Sequence, residues 1–256
     1  MGESMEAKGL DWYKHGWTLD IKNQSWVEDT KQQVDFIIKT LSLTGKERIL
    51  DLACGYGRHS LSFAQKGFSV VGVDLTKEYI EDAVKTAKKN SLPAQFIQED
   101  IRNVVFDHEF DVVLNMADGA IGYLETDEEN LKIFDVISRA LKKGGKHFMD
   151  VCNAEHAEHY FPRANWEAGE KSLALSQFDW NKETRRMLYG GYNIPYGKPA
   201  KKPQMSAGDP TRLYSIGELH EIFKKRNMRI EQTFSDYSGT KASFKNLQLL
   251  VYSIKQ

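Results

Sequence analysis

Three acids and an amide in the first half of the chain, Asp51, Asp74, Asp100 and Asn115, each lie in or at the end of an apolar run. The stretch "ILDLACGYGRH", residues 49–59, carries Asp51 into a turn built on Gly55 and Gly57. A strand that feeds such a turn into a helix offers free backbone N–H groups to an anion or dipole, and glycine lets a ligand come close to the backbone. Asp74 lies 19 residues after Gly55. That distance lets a strand-end carboxylate reach both hydroxyls of a ribose and reject a 2′-phosphate. Asp100 is placed to accept a hydrogen bond from an exocyclic amine such as that of adenine. Asp51 adds negative potential beside the turn, which suits a ligand with an ammonium and a sulfonium better than a pyrophosphate. The dinucleotide pattern G-x-G-x-x-G also fails, because Ser60 stands at its third glycine. S-adenosylmethionine therefore fits these residues better than a nicotinamide dinucleotide.

To bring those residues to one rim, the chain must build a sheet. Val34, Ile37, Ile38 and Leu41 predict a helix over 26–41. "RILDLA" reads as a buried strand, "RHSLSFAQKG" as a short helix closed by Gly67, and "FSVVGVD" as a second strand. Segment 76–90 predicts a helix with Ile80, Ala83, Val84 and Ala87 on one face, its acids early and its lysines late. "AQFIQED", "FDVVLNM" and "KHFMDV" are three more strands. Thr126 and Glu129 predict a capping box opening a helix over 127–141, and "LKKGG" a turn. These strands are nearly continuous apolar runs, the pattern of a parallel sheet covered on both faces. Segment 153–213 breaks the periodicity and holds eight aromatic residues, and its "YGKPAKKPQMSAGDP" stretch is loop-like. We expect it to form a cap over the carboxyl edge of the sheet, closing an apolar pocket for a small molecule. Ser215 and Glu218 form another capping box, and "MRIEQTF" and "NLQLLVYSI" read as closing strands.

The stretches "ILDLACGYGRHSLSFAQKGFSVVGVDLTKEYIEDA", "QEDIR", "FDVVLNM…IGYL" and "LKKGG" resemble motifs of the class I S-adenosylmethionine-dependent methyltransferases. The likeness covers roughly residues 26–152, with a weaker echo in "TRLYSIGELHEIF" and the closing strands. Within that family it is nearest to the small-molecule subgroup with a cap inserted after strand five, which includes amino-sugar N-methyltransferases. The resemblance implies a Rossmann-like, doubly wound α/β fold with a seven-stranded sheet whose last strand is antiparallel. It implies that Ala53, Cys54 and Gly55 line the methionine end and that Asp74 and Leu75 hold ribose and adenine. Asp100 and Ile101 would hold the adenine edge, and Asn115 and Met116 would lie by the sulfonium. Gly57 belongs to the same turn, and Arg58 is expected to pair with the cofactor carboxylate. Ala53 replaces the commoner glycine, which its small size tolerates, and Lys143 replaces the usual proline before strand five.

The implied reaction is in-line methyl transfer to a small-molecule nucleophile, nitrogen or oxygen first. A nicotinamide-dependent oxidoreductase and a non-catalytic cofactor-binding module are the alternatives. Such a transfer needs positioning and exclusion of water more than an acid or base, so no catalytic residue is required by type. His156 and Tyr13 are candidates for one, against plainer readings as a surface histidine and a packing anchor. Trp12, Tyr13 and Trp17 could form a flap over the cofactor. Tyr13, Asn153, Arg185, Tyr192 and Tyr214 are the candidates for the acceptor pocket. Asp118 and Glu125 have no supporting cluster, so no metal is expected.

The 256 residues suit one domain over 1–256, with 153–213 inserted in it. A net charge of −1 gives no reason to expect a nucleic-acid partner. Cys54 and Cys152 lack partners at metal spacing and suggest a reducing compartment. With neither a signal-length apolar run nor a membrane-length one, the expectation is a cytoplasmic protein off the membrane. The oligomeric state is left open.

Overall fold

The computed structural model describes residues 6–15, 17–24, 27–202 and 207–256. Seven strands form the main sheet: β1 (Arg48–Leu52), β2 (Ser69–Asp74), β3 (Ala94–Gln98), β4 (Phe110–Asn115), β5 (Leu141–Cys152), β10 (Met228–Phe234) and β11 (Gln248–Lys255). Their order is β10-β11-β5-β4-β1-β2-β3. β11 is antiparallel to both of its neighbours, and the other pairings are parallel. The expected α/β sheet with an antiparallel last strand is therefore present. Alternate residues of the central strands face opposite layers. Ile49, Val70 and Val112 pack with Val34, Ile37 and Phe63 from α1 (Thr30–Thr40) and α2 (Arg58–Gln65). Leu50, Val71 and Val113 pack with Ile133, Phe134, Leu219 and Phe223 from α4 (Asp127–Ala140) and α6 (Ile216–Lys224). Each such buried side chain contributes about 1.5–3 kcal/mol. α3 (Lys77–Lys89) runs between β2 and β3 and buries Tyr79, Ile80, Ala83 and Ala87.

Some local expectations need adjusting. The first helix starts at Thr30, and Trp26 lies outside the described residues. "LKKGG" is a bulge in β5: Phe110 pairs with Leu141 and Val112 with Lys146, so one residue of β4 opposes four of β5. Thr126 accepts the Glu129 N–H, but the Glu129 carboxylate turns away to Arg102 (2.6 Å) and Lys132 (2.5 Å), so only half the box forms. An ion pair on offer outcompetes the neutral N-cap donor. At Ser215 the box is complete.

Segment 153–213 is not irregular. After α5 (Ala154–Tyr160), β6 (Arg163–Ala168), β7 (Ser172–Asn181), β8 (Arg186–Pro195) and β9 (Asp209–Arg212) form a second, antiparallel sheet in that order. Most of β7 is half-exposed, so no buried/exposed alternation marks it in the sequence. Phe178 and Met187 anchor this sheet on Ala154 and Ala157 of α5. Of the loop-like stretch, 203–206 lie outside the described residues. The N-terminal segment, with 3-10 turns at Trp12–Lys14 and Leu19–Asn23, ties β9 of the second sheet to helix α3. Trp12 Nε1 donates to Pro210 O (3.2 Å), while the Tyr79 hydroxyl donates to Thr18 O (3.1 Å). Among the described residues no helix is long and apolar enough to cross a membrane.

Candidate active site

The carboxyl ends of β1 to β4 and the N-terminal segment line a half-open cavity. Beyond β1 the backbone turns left-handed at Ala53 (φ 56°) and Gly55 (φ 57°), then enters α2 through Gly57 (φ 79°). Ala53, Cys54, Gly55 and Arg58 line the wall. A Cβ on Gly55 would meet nothing closer than Tyr79 Cδ2 at 3.9 Å, so that face is open. Gly57 is off the wall. A Cβ there would lie 2.8 Å from the Phe96 ring and 3.2 Å from Ala83, so packing of α2 demands this glycine rather than approach of a ligand. The cost of Ala53 against glycine is conformational, about 1–2 kcal/mol for the left-handed backbone, and does not turn on side-chain bulk.

Asp51 is the buried acid of the turn. Its Oδ2 accepts the Ser60 hydroxyl (2.6 Å), and its Oδ1 has no hydrogen-bond partner. Burial pushes its carboxyl up to about 6. Asp74 is also buried; its Oδ2 accepts the Gly55 N–H and its Oδ1 the Thr76 N–H, both at 2.8 Å. Each oxygen keeps a lone pair for a further donor. Burial raises Asp74 as well, against the pull of those two N–H groups. Leu75, Asp100, Ile101 and Met116 complete the cofactor-side wall. Although burial opposes it, Arg102 holds Asp100 below the usual range, bonding its two oxygens through Nε (3.0 Å) and Nη2 (2.5 Å). Arg58 donates to Thr30 Oγ1 (2.8 Å) and Gln33 Oε1 (2.7 Å) while facing the cavity.

Asn115 is fully buried beneath the wall. Its Nδ2 donates to Gly119 O (2.9 Å), and His147 Nε2 faces its Oδ1 (3.3 Å). This bond clamps a short left-handed run, Ala117, Asp118, Gly119 and Ala120, with φ of 52°, 66°, 53° and 61°. The run delivers Ala120, Tyr123 and Leu124 to the wall, beside Trp17 of the N-terminal segment. Of the expected flap, Tyr13 and Trp17 lie on the wall while Trp12 turns away to Pro210 O; Tyr123 and Tyr79 were missed. The "IGYL" motif carried Tyr123 in plain view, without a sign that it faces inward.

A family model described as "Methyltransferase domain" matches residues 49–145, from β1 to the bulge at the start of β5. The putative methyltransferase YqeM of Bacillus subtilis is 29% identical over 226 residues, 81% of this chain and 84% of that one. A crystal structure of an S-adenosylmethionine-dependent methyltransferase from Clostridium acetobutylicum superposes with a TM-score of 0.73 at 19% identity, covering 89% of this chain and 92% of that one. The 1,6-didemethyltoxoflavin-N1-methyltransferase of Burkholderia thailandensis, solved with 1,6-didemethyltoxoflavin and S-adenosylhomocysteine, gives 0.58 at 12% identity, covering 92% and 83%. The chain belongs to the class I S-adenosylmethionine-dependent methyltransferases.

Several residues expected near the acceptor of this methyltransferase lie off its cavity wall. Asn153 caps α5 through Glu155 N–H (3.0 Å) and donates to Ser243 O (3.2 Å). Arg185 is taken up by Glu158 and Glu218, each at 2.9 Å. Tyr192 sits on β8 opposite Leu175. Tyr214 is buried against Phe134 and Arg212. His156 is a buried helix residue rather than a surface one; its Nδ1 faces Phe244 O (3.1 Å), its ring stacks on Tyr160, and burial lowers its pKa. Tyr13 is on the wall and donates to Glu125 Oε1 (2.9 Å). Burial and that carboxylate hold its phenol above the ordinary value, so it stays protonated at neutral pH. Among the described residues no group of three or more His, Cys, Asp or Glu is placed to hold a metal.

Proposed function

We propose that this methyltransferase acts on a nitrogen or oxygen of a small-molecule acceptor. The observation that carries this reading is the roof: Tyr13, Trp17 and Ile21 lie across the carboxyl rim and face the same cavity as the glycine turn. Lys22 pairs with Asp82 (2.5 Å) and Lys14 with Glu125 (2.6 Å), so the roof is tied down on both sides. A pinned, aromatic roof suits a small acceptor better than the exposed surface of a macromolecule. A structural neighbour lends support, since the Burkholderia thailandensis enzyme is named for methylation at N1 of 1,6-didemethyltoxoflavin and was solved with that compound bound. In the same reading, the second sheet acts as a cap on 153–213.

The residues fit S-adenosylmethionine. The orphaned Asp51 Oδ1 meets the need of an ammonium, and its charge disfavours a pyrophosphate at that place. The open face of Gly55, with Ala53, Cys54 and Arg58, would take the methionine end, and Asp74 with Leu75 the ribose. Asp100 and Ile101 would border the adenine, and Met116 the sulfonium. The bound group supplies an activated methyl. The chain's own part is to hold the acceptor in line and to keep water out, which needs no acid or base to give a large rate enhancement.

Two measurements test this. Incubation of the protein with methyl-labelled S-adenosylmethionine and a deproteinised cell extract should put label into discrete small molecules. Label confined to protein or RNA, when these are supplied instead, would refute the reading. Asp74→Ala should weaken S-adenosylhomocysteine binding by about 1–3 kcal/mol, through lost charge-assisted hydrogen bonds. Calorimetry that finds no change would remove Asp74 from the ribose site.

A further inference from the structure

Tyr123 and Asp118 are not used by the reading above, yet the fold holds them rigidly. The backbone between them is fixed at several points. Asp118 N–H donates to Asp150 O of β5 (2.7 Å), and Asn115 grips Gly119 O. Asn130 Oδ1 accepts from Gly122 N (2.9 Å) and Leu124 N (3.1 Å), and Arg212 N of β9 donates to Gly122 O (2.8 Å). Three of the four residues in the left-handed run are not glycine. Such backbone costs about 1–2 kcal/mol per residue and persists only where its surroundings over-determine it.

The run ends in a specific contact: the Tyr123 hydroxyl donates to Asp118 Oδ2 at 3.2 Å. The Tyr123 ring lines the cavity and lies nearly parallel to Trp17. A phenol whose hydrogen is committed to a carboxylate still offers its oxygen lone pairs to another donor.

We propose that Tyr123 and Asp118 form a proton relay for the acceptor, with Tyr123 the catalytic residue that touches it and Asp118 the residue that keeps the proton. An acceptor nitrogen or oxygen that has gained a methyl group carries one proton too many. That N–H or O–H bond breaks, leaving its electron pair on the acceptor, and the proton joins Tyr123 Oη. The Tyr123 proton passes at the same time to Asp118 Oδ2, and Asp118 later yields it to water. The charged and titratable groups facing this pair are Asp150 and Cys152 of β5 and Asp209 of β9. Asp209 is itself paired with Lys8 (2.6 Å), and among the described residues Asp118 makes no ion pair. Removal from water and the Asp150 charge push Asp118 up to about 7, where it can take and release a proton.

This inference rests on the small-molecule reading. Its test uses labelled S-adenosylmethionine with the same deproteinised extract, from pH 6 to 9, on wild type, Tyr123→Phe and Asp118→Asn. Wild-type transfer should rise through pH ~7 as Asp118 ionises. Each variant should lose at least about tenfold in rate, and Asp118→Asn should lose the rise. S-adenosylhomocysteine binding should stay within about threefold of wild type in both. Carbon NMR of the Asp118 carboxyl gives a readout apart from turnover: its midpoint should move up in Tyr123→Phe, because a donor to the carboxylate is gone. Near-full rates in either variant, or a tenfold loss of cofactor binding, would overturn the relay. Wild type that binds cofactor yet labels nothing in the extract refutes the small-molecule reading, and the relay with it. Active variants refute the relay alone.

Discussion

Asp51→Asn should raise the melting temperature of the free protein at pH 7.5 and lower its affinity for S-adenosylmethionine. Asp51 is 1% exposed, has one orphaned oxygen and titrates at about 6 in the fold, against 3.8 in the unfolded chain. The folded state thus binds this proton more tightly than the unfolded one. The group costs nothing below pH ~4, where both states hold the proton. The cost grows as pH rises and is complete above about 6, where it reaches on the order of 3 kcal/mol. Asparagine removes the charge while leaving the Ser60 hydroxyl an acceptor, so the free variant should melt several degrees higher. A cationic ligand offsets the same cost in wild type. The variant should therefore bind about tenfold or more weakly, having lost a charge-assisted bond. Wild-type affinity should also decline as pH falls through 6, and the variant's should not. Melting curves with and without S-adenosylhomocysteine, and titrations at pH 5.5 and 7.5, check both halves. A variant that melts no higher and binds as tightly would take Asp51 out of the cofactor site.

The rim acids were legible because each lies in or just beyond a strand-like run, so a parallel sheet puts them all at one edge. The same logic found the turn at Gly55. It also lumped Gly57 with it, since sequence does not reveal that the Phe96 ring fills the space where a Cβ would go. Asn115 illustrates a related limit: its place at the end of β4 was readable, but not that its amide turns inward to clamp Gly119. The second sheet left no period-2 trace because its strands are half-exposed along their length. Its aromatics, read as pocket lining, divide between the anchor at Phe178 and open surface such as Trp166, which is 71% exposed. The left-handed run at 117–120 was invisible for a simpler reason. Alanine and aspartate do not announce positive φ, and only the tertiary clamps impose it.

Those clamps lead to the other large effect. Gly122 (φ 88°) lies so close to β9 that a Cβ on it would come within 1.9 Å of the Arg212 carbonyl oxygen, and that oxygen belongs to backbone. Gly122→Ala must push the strand away, breaking the Arg212 N–H bond to Gly122 O, on top of the strain of alanine at that φ. We expect a loss of about 3 kcal/mol or more, which for a chain of this size lowers the melting temperature by roughly 6–12 °C. Gly144→Ala provides the contrast. Gly144 has a similar φ of 76°, but a Cβ there would meet nothing within 4 Å. It should cost only the conformational strain, about 1–2 kcal/mol. Because Gly122 joins the second sheet to the loop that carries Tyr123, its replacement should also slow methyl transfer, whereas Gly144→Ala, in the bulge at the far end of β5, should not. Equal melting temperatures for the two variants would mean that the strap relaxes without cost, and that β9 does not hold the Tyr123 loop in place.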